Sequence, residues 1–273
     1  MPEAPITGNE VVEQFPRLQL DDKFPFRCDP GRSCFGKCCR DVSILLTPYD
    51  VLRLKRALRL SSTDFLDQHA VVMKAEDKQL PVVFLKMDAE TNQCPFVGAQ
   101  GGCKVYADRP WACRMYPLGL AEPEAPQAAE RRFYFVVRED LCQGHDGAAG
   151  SVRQWLEEQE IEPYEMMQTA FRPLIYHPSW RDSETIGPQK LSMFFMACYD
   201  LDRFRRFVLE TRFLNLFDVD EYRVEALRTD DEELLEFAFD WLAFTLFHEK
   251  RMKLKRDVAS RNGTVAPVTE VSG

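Results

Sequence analysis

Eight of the nine cysteines in this chain fall into two groups of four, and thiols at this density are characteristic metal ligands. The first group contains Cys28, Cys34, Cys38 and Cys39. The second group contains Cys94, Cys103, Cys113 and Cys142. Two sets of four thiols match the ligand count of two four-thiolate metal sites.

The spacing within the first group limits how these thiols can share a metal. Cys34 and Cys38 are four residues apart, so both can reach one centre from a single turn. Cys38 and Cys39 point in different directions, which predicts that each serves a different site or that one is not a ligand. The two groups need not be the two sites, because interleaved ligation, as in two-cluster ferredoxins, fits the spacing equally well.

The cysteine spacing does not choose the metal. It matches neither the short-interval bacterial ferredoxin run nor the paired C-x2-C zinc ribbon, so iron–sulfur and zinc both stay open. The remaining alternative is a set of reduced, partly buried structural cysteines. Cys198 stands apart on the apolar side of a predicted helix and is expected to be a small core residue.

Two arginines flank Cys113 and are candidates for an outer layer around a metal centre. Arg109 and Arg114 could offset the negative charge of a thiolate centre or hold an anionic substrate. Alternatively, an ion pair of Asp108 with an arginine fixes this loop. His145, three residues after Cys142, has a spacing that metal sites use, but an exposed loop histidine explains it more simply.

Composition and charge narrow the class of protein. The chain has 273 residues and a net charge of −9, which argues against nucleic-acid binding. It contains no apolar stretch long enough to span a membrane, and residues 1–5 lack the basic and apolar regions of a signal peptide. We therefore expect a cytoplasmic protein, where cysteines stay reduced and available for metal, with a redox or protein partner that the sequence does not identify.

The cysteines must be positioned by short strands and turns, followed by a mainly helical half. Apolar runs predict strands at residues 42–46, 80–87 and 132–138, with a surface loop at 122–130. Helices are predicted to begin near Thr47, Ser62, Ser151 and Asp230, the last running to about Arg256. The basic residues Lys250, Arg251, Lys253, Lys255 and Arg256 would then suit the end of that helix.

This pattern predicts an α+β fold in which a small cysteine-rich metal-binding region precedes a predominantly helical half. The predicted organisation is a leader at 1–24, a cysteine-cluster domain at 25–150, a helical region packed on it at 151–256, and a disordered tail at 257–273.

The cysteines recur within a series of short motifs. In order, these are Cys34-x3-Cys38-Cys39, Cys94-Pro95-Phe96, Cys103-Lys104-Val105-Tyr106 and Arg109-Pro110-x2-Cys113-Arg114-x-Tyr116-Pro117-Leu118. Over residues 26–145 this series resembles the YkgJ-like cysteine-cluster family of zinc- or iron-chelating and iron–sulfur proteins. Cys142-Gln143-Gly144 is similar to the later Cys-Pro-Gly of that family, with Gln143 in place of proline. Residues 199–207 resemble the helical extension of its longer members.

The resemblance implies that the eight clustered cysteines hold an iron–sulfur or related metal centre. The flagellin lysine N-methylases carry a similar cysteine pattern, but this sequence contains no separate methyltransferase module. We expect one or two iron–sulfur clusters, of the [4Fe–4S] type, in a redox or catalytic role. The alternatives are zinc that stabilises a protein-interaction module, and a protein that handles iron–sulfur clusters or metal.

Overall fold

A computed structural model describes residues 15–74, 80–121, 132–180 and 187–255. The chain divides into two compact units, residues 1–172 and residues 173–273. The predicted domain boundaries stay predictions. Residues 1–14, the loop expected at 122–130 and the tail expected at 257–273 lie outside the described residues.

The described residues of the first unit form seven short strands in three antiparallel sheets. The strands are β1 (Lys23–Pro25), β2 (Leu45–Leu46), β3 (Ala70–Lys74), β4 (Pro81–Leu85), β5 (Leu118–Ala121), β6 (Phe133–Val136) and β7 (Ala149–Ser151). β1 pairs with β7, β5 pairs with β6, and the third sheet has the order β2-β4-β3. The three apolar runs predicted as strands therefore contain β2, β4 and β6, whereas no strand was predicted at β3.

Helices of the first unit begin at side-chain caps that the sequence makes recognisable. They are α1 (Pro48–Leu58), α2 (Ser62–His69), α3 (Trp111–Met115), α4 (Val152–Glu158) and α5 (Glu162–Ile175), the last of which runs into the second unit. α1 begins after Thr47, as predicted, and Thr47 caps it in a complete capping box with Asp50. Ser151 caps α4 by accepting a hydrogen bond from the amide of Gln154.

An apolar core joins these elements beneath the cysteine-rich loops. Its buried members come from β1, α3, β5, β6, α4 and the residue before α5, namely Phe24, Met115, Leu118, Tyr134, Val152 and Ile161. Burying such side chains stabilises the fold by roughly 1.5–3 kcal/mol each. This core fixes β1 and β6, after which Cys28 and Cys142 follow in the chain, and α3, which contains Cys113.

The second unit is helical in its described part. Its helices are α6 (Pro188–Tyr199), α7 (Leu201–Glu210), α8 (Phe213–Leu216), α9 (Glu221–Thr229) and α10 (Asp231–Phe247). Asp230 caps α10 by accepting hydrogen bonds from the amides of Glu232 and Glu233. Together with the small sheets of the first unit, these helices confirm the predicted α+β class.

The predicted end of the last helix near Arg256 is wrong. α10 ends at Phe247, and His248 caps it in the left-handed conformation with a φ of 59°. The next residues turn back, since Leu254 forms an antiparallel bridge with Phe217. The basic cluster that begins at Lys250 therefore follows the helix and does not lie in its last turn. No helix in the described parts of the chain is both long and apolar enough to cross a membrane.

Candidate metal centre

The eight clustered cysteines all lie in the first unit as free thiols, on loops, turns and one short helix. Cys38 and Cys39 end a 3-10 turn, Cys113 lies in α3, and the others are in loops. Cys198 is a fully buried residue of α6 in the second unit, as expected for a core residue. Cys28, Cys38 and Cys113 are exposed, so the cysteine-rich loops reach the surface.

The loop that carries Cys34 docks against the loop that carries Cys142. The amide of Gln143 donates to the sulfur of Cys34 at 3.4 Å, and the hydroxyl of Ser33 donates to the side chain of Gln143 at 2.8 Å. Arg32 donates to the carbonyl of Gln143 and pairs with Asp146 at 2.7 Å. Cys142 therefore lies beside Cys34, although 108 residues separate them in the sequence.

A close backbone contact fastens the same two loops. The amide of Arg27 donates to the carbonyl of Gly144 at 2.8 Å. A Cβ atom at Gly147 would lie 2.7 Å from the backbone of Phe26, and this position is therefore restricted to glycine.

Cys28 lies near the same two loops, and the thiols of Cys28, Cys34, Cys38 and Cys142 make up a first neighbourhood. Burial, and then the nearby thiols of Cys38, Cys34 and Cys142, raise the pKa of Cys28 above its usual value. Such an effect requires the sulfurs of Cys34, Cys38 and Cys142 to lie within electrostatic range of the sulfur of Cys28.

A second neighbourhood is built around Cys39 and Cys94. The amide of Cys94 donates to the carbonyl of Cys39 at 2.8 Å, and Arg40 forms an antiparallel bridge with Gln93. Cys103 is brought in by its own antiparallel bridge with Val97, across the turn that follows Cys94.

Cys113 joins the second neighbourhood through α3. Desolvation by the surrounding side chains, and then the charges of Cys94, Asp50 and Cys103, raise the pKa of Cys113 to about 12, although the residue reaches the surface. Burial raises the pKa of Cys94 as well, with a contribution from Cys103.

Cys38 and Cys39 are adjacent and interact directly. A hydrogen bond from the thiol of Cys39 lowers the pKa of Cys38 to about 7, and the same bond raises the pKa of Cys39. Gly36 makes the preceding turn possible, since its φ of 75° is left-handed and a Cβ atom there would lie 2.5 Å from the carbonyl oxygen of Gly101.

Asp50 positions α3, a role that the sequence did not reveal. Its buried carboxylate accepts from the amide of Trp111 at 2.7 Å, at the first residue of α3, and from the amide and hydroxyl of Thr47 at the start of α1. The sequence around Asp50 indicates a capping box alone, and this motif accounts for its contact with Thr47. The contact with Trp111 spans 61 residues and could not be inferred from it.

The two flanking arginines have different surroundings. Arg114 is buried and donates to the carbonyls of Arg109, Gln159 and Ala107. Arg109 donates to the carbonyl of Tyr106 at 2.5 Å and to the side chain of Gln159.

Arg109 acts on two of the thiols by its charge. The positive charge of Arg109 opposes the rise in the pKa of Cys103 and of Cys113. Asp108 pairs with Arg53 at 2.7 Å, so an aspartate–arginine pair does fix this loop, but it uses neither flanking arginine.

Two further polar side chains border the first neighbourhood. Burial and a hydrogen bond with Cys142 raise the pKa of Tyr116. His145 packs against Phe26, and both of its ring nitrogens are buried without a hydrogen-bond partner in the described parts of the chain. Burial lowers the pKa of His145, which favours the neutral imidazole.

The donor types in both neighbourhoods suit zinc or iron. Thiolates bind both metals, and a neutral imidazole with free nitrogens is a further possible donor. Among residues 15–74, 80–121, 132–180 and 187–255, no three cysteine, histidine or carboxylate side chains already surround one ion position. Ligation of a metal would therefore draw the thiols of a neighbourhood closer together.

Comparison with known families agrees with this chemistry. Residues 27–143 match the CxxCxxCC family model, described as "Putative zinc- or iron-chelating domain", and this match confirms the resemblance seen in the sequence. No curated protein and no solved structure matches the chain significantly. The matched segment covers less than half of the chain and includes all eight clustered cysteines, and its similarity to this family supports metal binding by these cysteines.

Proposed function

We propose that the first unit binds iron–sulfur clusters through the eight clustered thiols and that these clusters serve a redox or catalytic role. The observation that carries the proposal is the convergence of all eight thiols, from five separate stretches of the chain, into two adjoining neighbourhoods. Thiolates are the usual ligands of iron–sulfur clusters.

Exposure at the surface supports a role in exchange with partners. Cys28, Cys38 and Cys113 are exposed, so a group held there would be reachable by a redox partner or a small substrate. Arg109 places a positive charge near Cys103 and Cys113, and such a charge would offset the negative charge of a thiolate centre. An iron–sulfur cluster in this position supplies one-electron chemistry, while the chain supplies the ligands, the charge and the limited access of solvent.

Reduction of the anaerobically purified full chain tests this function. We expect a coloured protein whose visible absorption is bleached by dithionite and returns on reoxidation, in proportion to bound iron. The Cys198→Ala variant is the matched control and should behave like the natural protein, because Cys198 is buried in the second unit. A protein that holds iron but shows no reversible bleaching would contradict the redox role.

Structural zinc is the second candidate, and the small size of the sheets favours it. β1–β7 and β5–β6 are two-stranded, and isolated two-stranded sheets are at best marginally stable in water. A closed zinc site would then stabilise the loops between them. This function predicts a colourless protein with stoichiometric zinc, whose first unit loses its protection from hydrogen exchange when a chelator removes the metal.

A further inference from the structure

We propose that the eight thiols form two centres and that the two ligand sets cross over at the Cys38–Cys39 peptide bond. Centre A has the ligands Cys28, Cys34, Cys38 and Cys142. Centre B has the ligands Cys39, Cys94, Cys103 and Cys113. This division rests on the proposed function, in which these thiols hold metal, and it differs from the order of the cysteines along the chain.

The backbone contacts of Cys142 place it in centre A. The amide of Gln143 contacts the sulfur of Cys34 at 3.4 Å, and the amide of Gly144 contacts the sulfur of Cys142 at the same distance. Arg27, next to Cys28, is hydrogen-bonded to Gly144 at 2.8 Å. The loop of Cys142 is thus held on both sides by the loop of Cys28 and Cys34.

The backbone contacts of Cys39 place it in centre B. Its carbonyl accepts from the amide of Cys94 at 2.8 Å, which sets the two residues side by side. The bridge between Arg40 and Gln93 continues this contact by one residue in each direction.

The 3-10 turn explains why adjacent cysteines separate. In such a turn, with three residues per turn, successive side chains project roughly 120° apart. Cys38 can therefore face Cys142 and Cys28 while Cys39 faces Cys94. Because adjacent Cα atoms are about 3.8 Å apart, the two centres would be close neighbours.

Stepwise removal of metal from the full natural chain tests the crossover without any substitution. A chelator is titrated in, and the thiols that become reactive are alkylated and located by mass spectrometry. We expect Cys142 to become reactive together with Cys34, and Cys39 together with Cys94. If Cys142 instead follows Cys94, or if all eight thiols become reactive in one step, the crossover is overturned.

Paired serine substitutions give an independent measure, read as metal per chain. The crossover predicts that C34S/C142S keeps about half of the metal and that C94S/C142S loses nearly all of it. If the first four cysteines in the chain held one centre and the last four held the other, C34S/C142S would lose nearly all of the metal and C94S/C142S would keep about half. If the natural protein binds metal but C34S/C142S loses nearly all of it and C94S/C142S keeps about half, the crossover alone is overturned. If the natural protein binds no metal, the proposed function is overturned as well.

Discussion

Replacement of Arg114 by methionine should destabilise the first unit severely, although Arg114 adjoins a proposed metal ligand. Its side chain is 1% exposed, and its guanidinium donates to three backbone carbonyls, including that of Gln159 at 2.7 Å and that of Arg109 at 3.1 Å. It also lies 4.7 Å from the centre of the Tyr164 ring. Methionine has similar length but no donor, so the substitution removes the hydrogen bonds with little change in volume.

The expected decrease in the free energy of unfolding follows from these contacts. A hydrogen bond made by a charged group contributes roughly 1.5–3 kcal/mol, and three of them would sum to more than 4 kcal/mol. Removing a buried charge returns part of its desolvation cost, which brings the expected loss to about 3 kcal/mol. With a urea m-value of about 2 kcal/mol/M, the unfolding midpoint of the first unit should fall by roughly 1.5 M.

Hydrogen exchange, measured for individual peptides at increasing urea concentrations, gives the unfolding free energy of the first unit separately from that of the second unit. Arg153→Met is the matched control, since its side chain is 51% exposed and pairs with an exposed Asp21. The control should cost less than about 1 kcal/mol. If Arg114→Met costs no more than the control, the structural role of Arg114 is refuted.

Three further substitutions test other parts of the first unit and the boundary of the site. Burial raises the pKa of Asp50 to about 6, so the folded protein holds this proton more tightly than the unfolded chain. The bound proton of Asp50 therefore stabilises the folded protein fully below about pH 4. As the pH rises through 6, this contribution to the free energy of unfolding, about 3 kcal/mol, is lost. Asp50→Asn should remove this dependence, measured as the difference in unfolding free energy between the two proteins from pH 4 to 7. A constant difference would contradict the burial of this carboxylate. Gly147→Ala would place a Cβ atom 2.7 Å from backbone atoms and should cost more than 1 kcal/mol or so in urea unfolding, whereas Gly102→Ala, with open space around it, should cost far less. Equal costs would contradict the close contact of the loops. Cys198→Ala should leave bound metal per chain unchanged, and loss of metal would show that the ligand set is wrong.

The local parts of the fold could be predicted from the sequence because their signals are local. The caps at Thr47 and Asp230 identify the starts of α1 and α10, and each depends only on side chains within three residues. The end of α10 could not be predicted in this way. The basic residues after Phe247 favour a helix locally, but the chain turns at Lys250 and Arg251 and then pairs through the bridge between Leu254 and Phe217.

The composition of the candidate site could be predicted, but its arrangement could not. Cysteine type and clustering identify the eight candidate ligands, since few other roles need so many free thiols. The approach of Cys142 to Cys34 depends on contacts between distant loops, among them the docking of Gln143. The contact of Asp50 with Trp111 is likewise long-range, so no spacing rule in the sequence contains it.

Metal analysis of the purified protein tests whether the first unit holds iron–sulfur clusters through these thiols. Iron, acid-labile sulfide and zinc are quantified per chain after anaerobic purification, together with the absorption spectrum. We predict a coloured protein in which iron and sulfide are present in equal amounts. A colourless protein with stoichiometric zinc and no sulfide would contradict it.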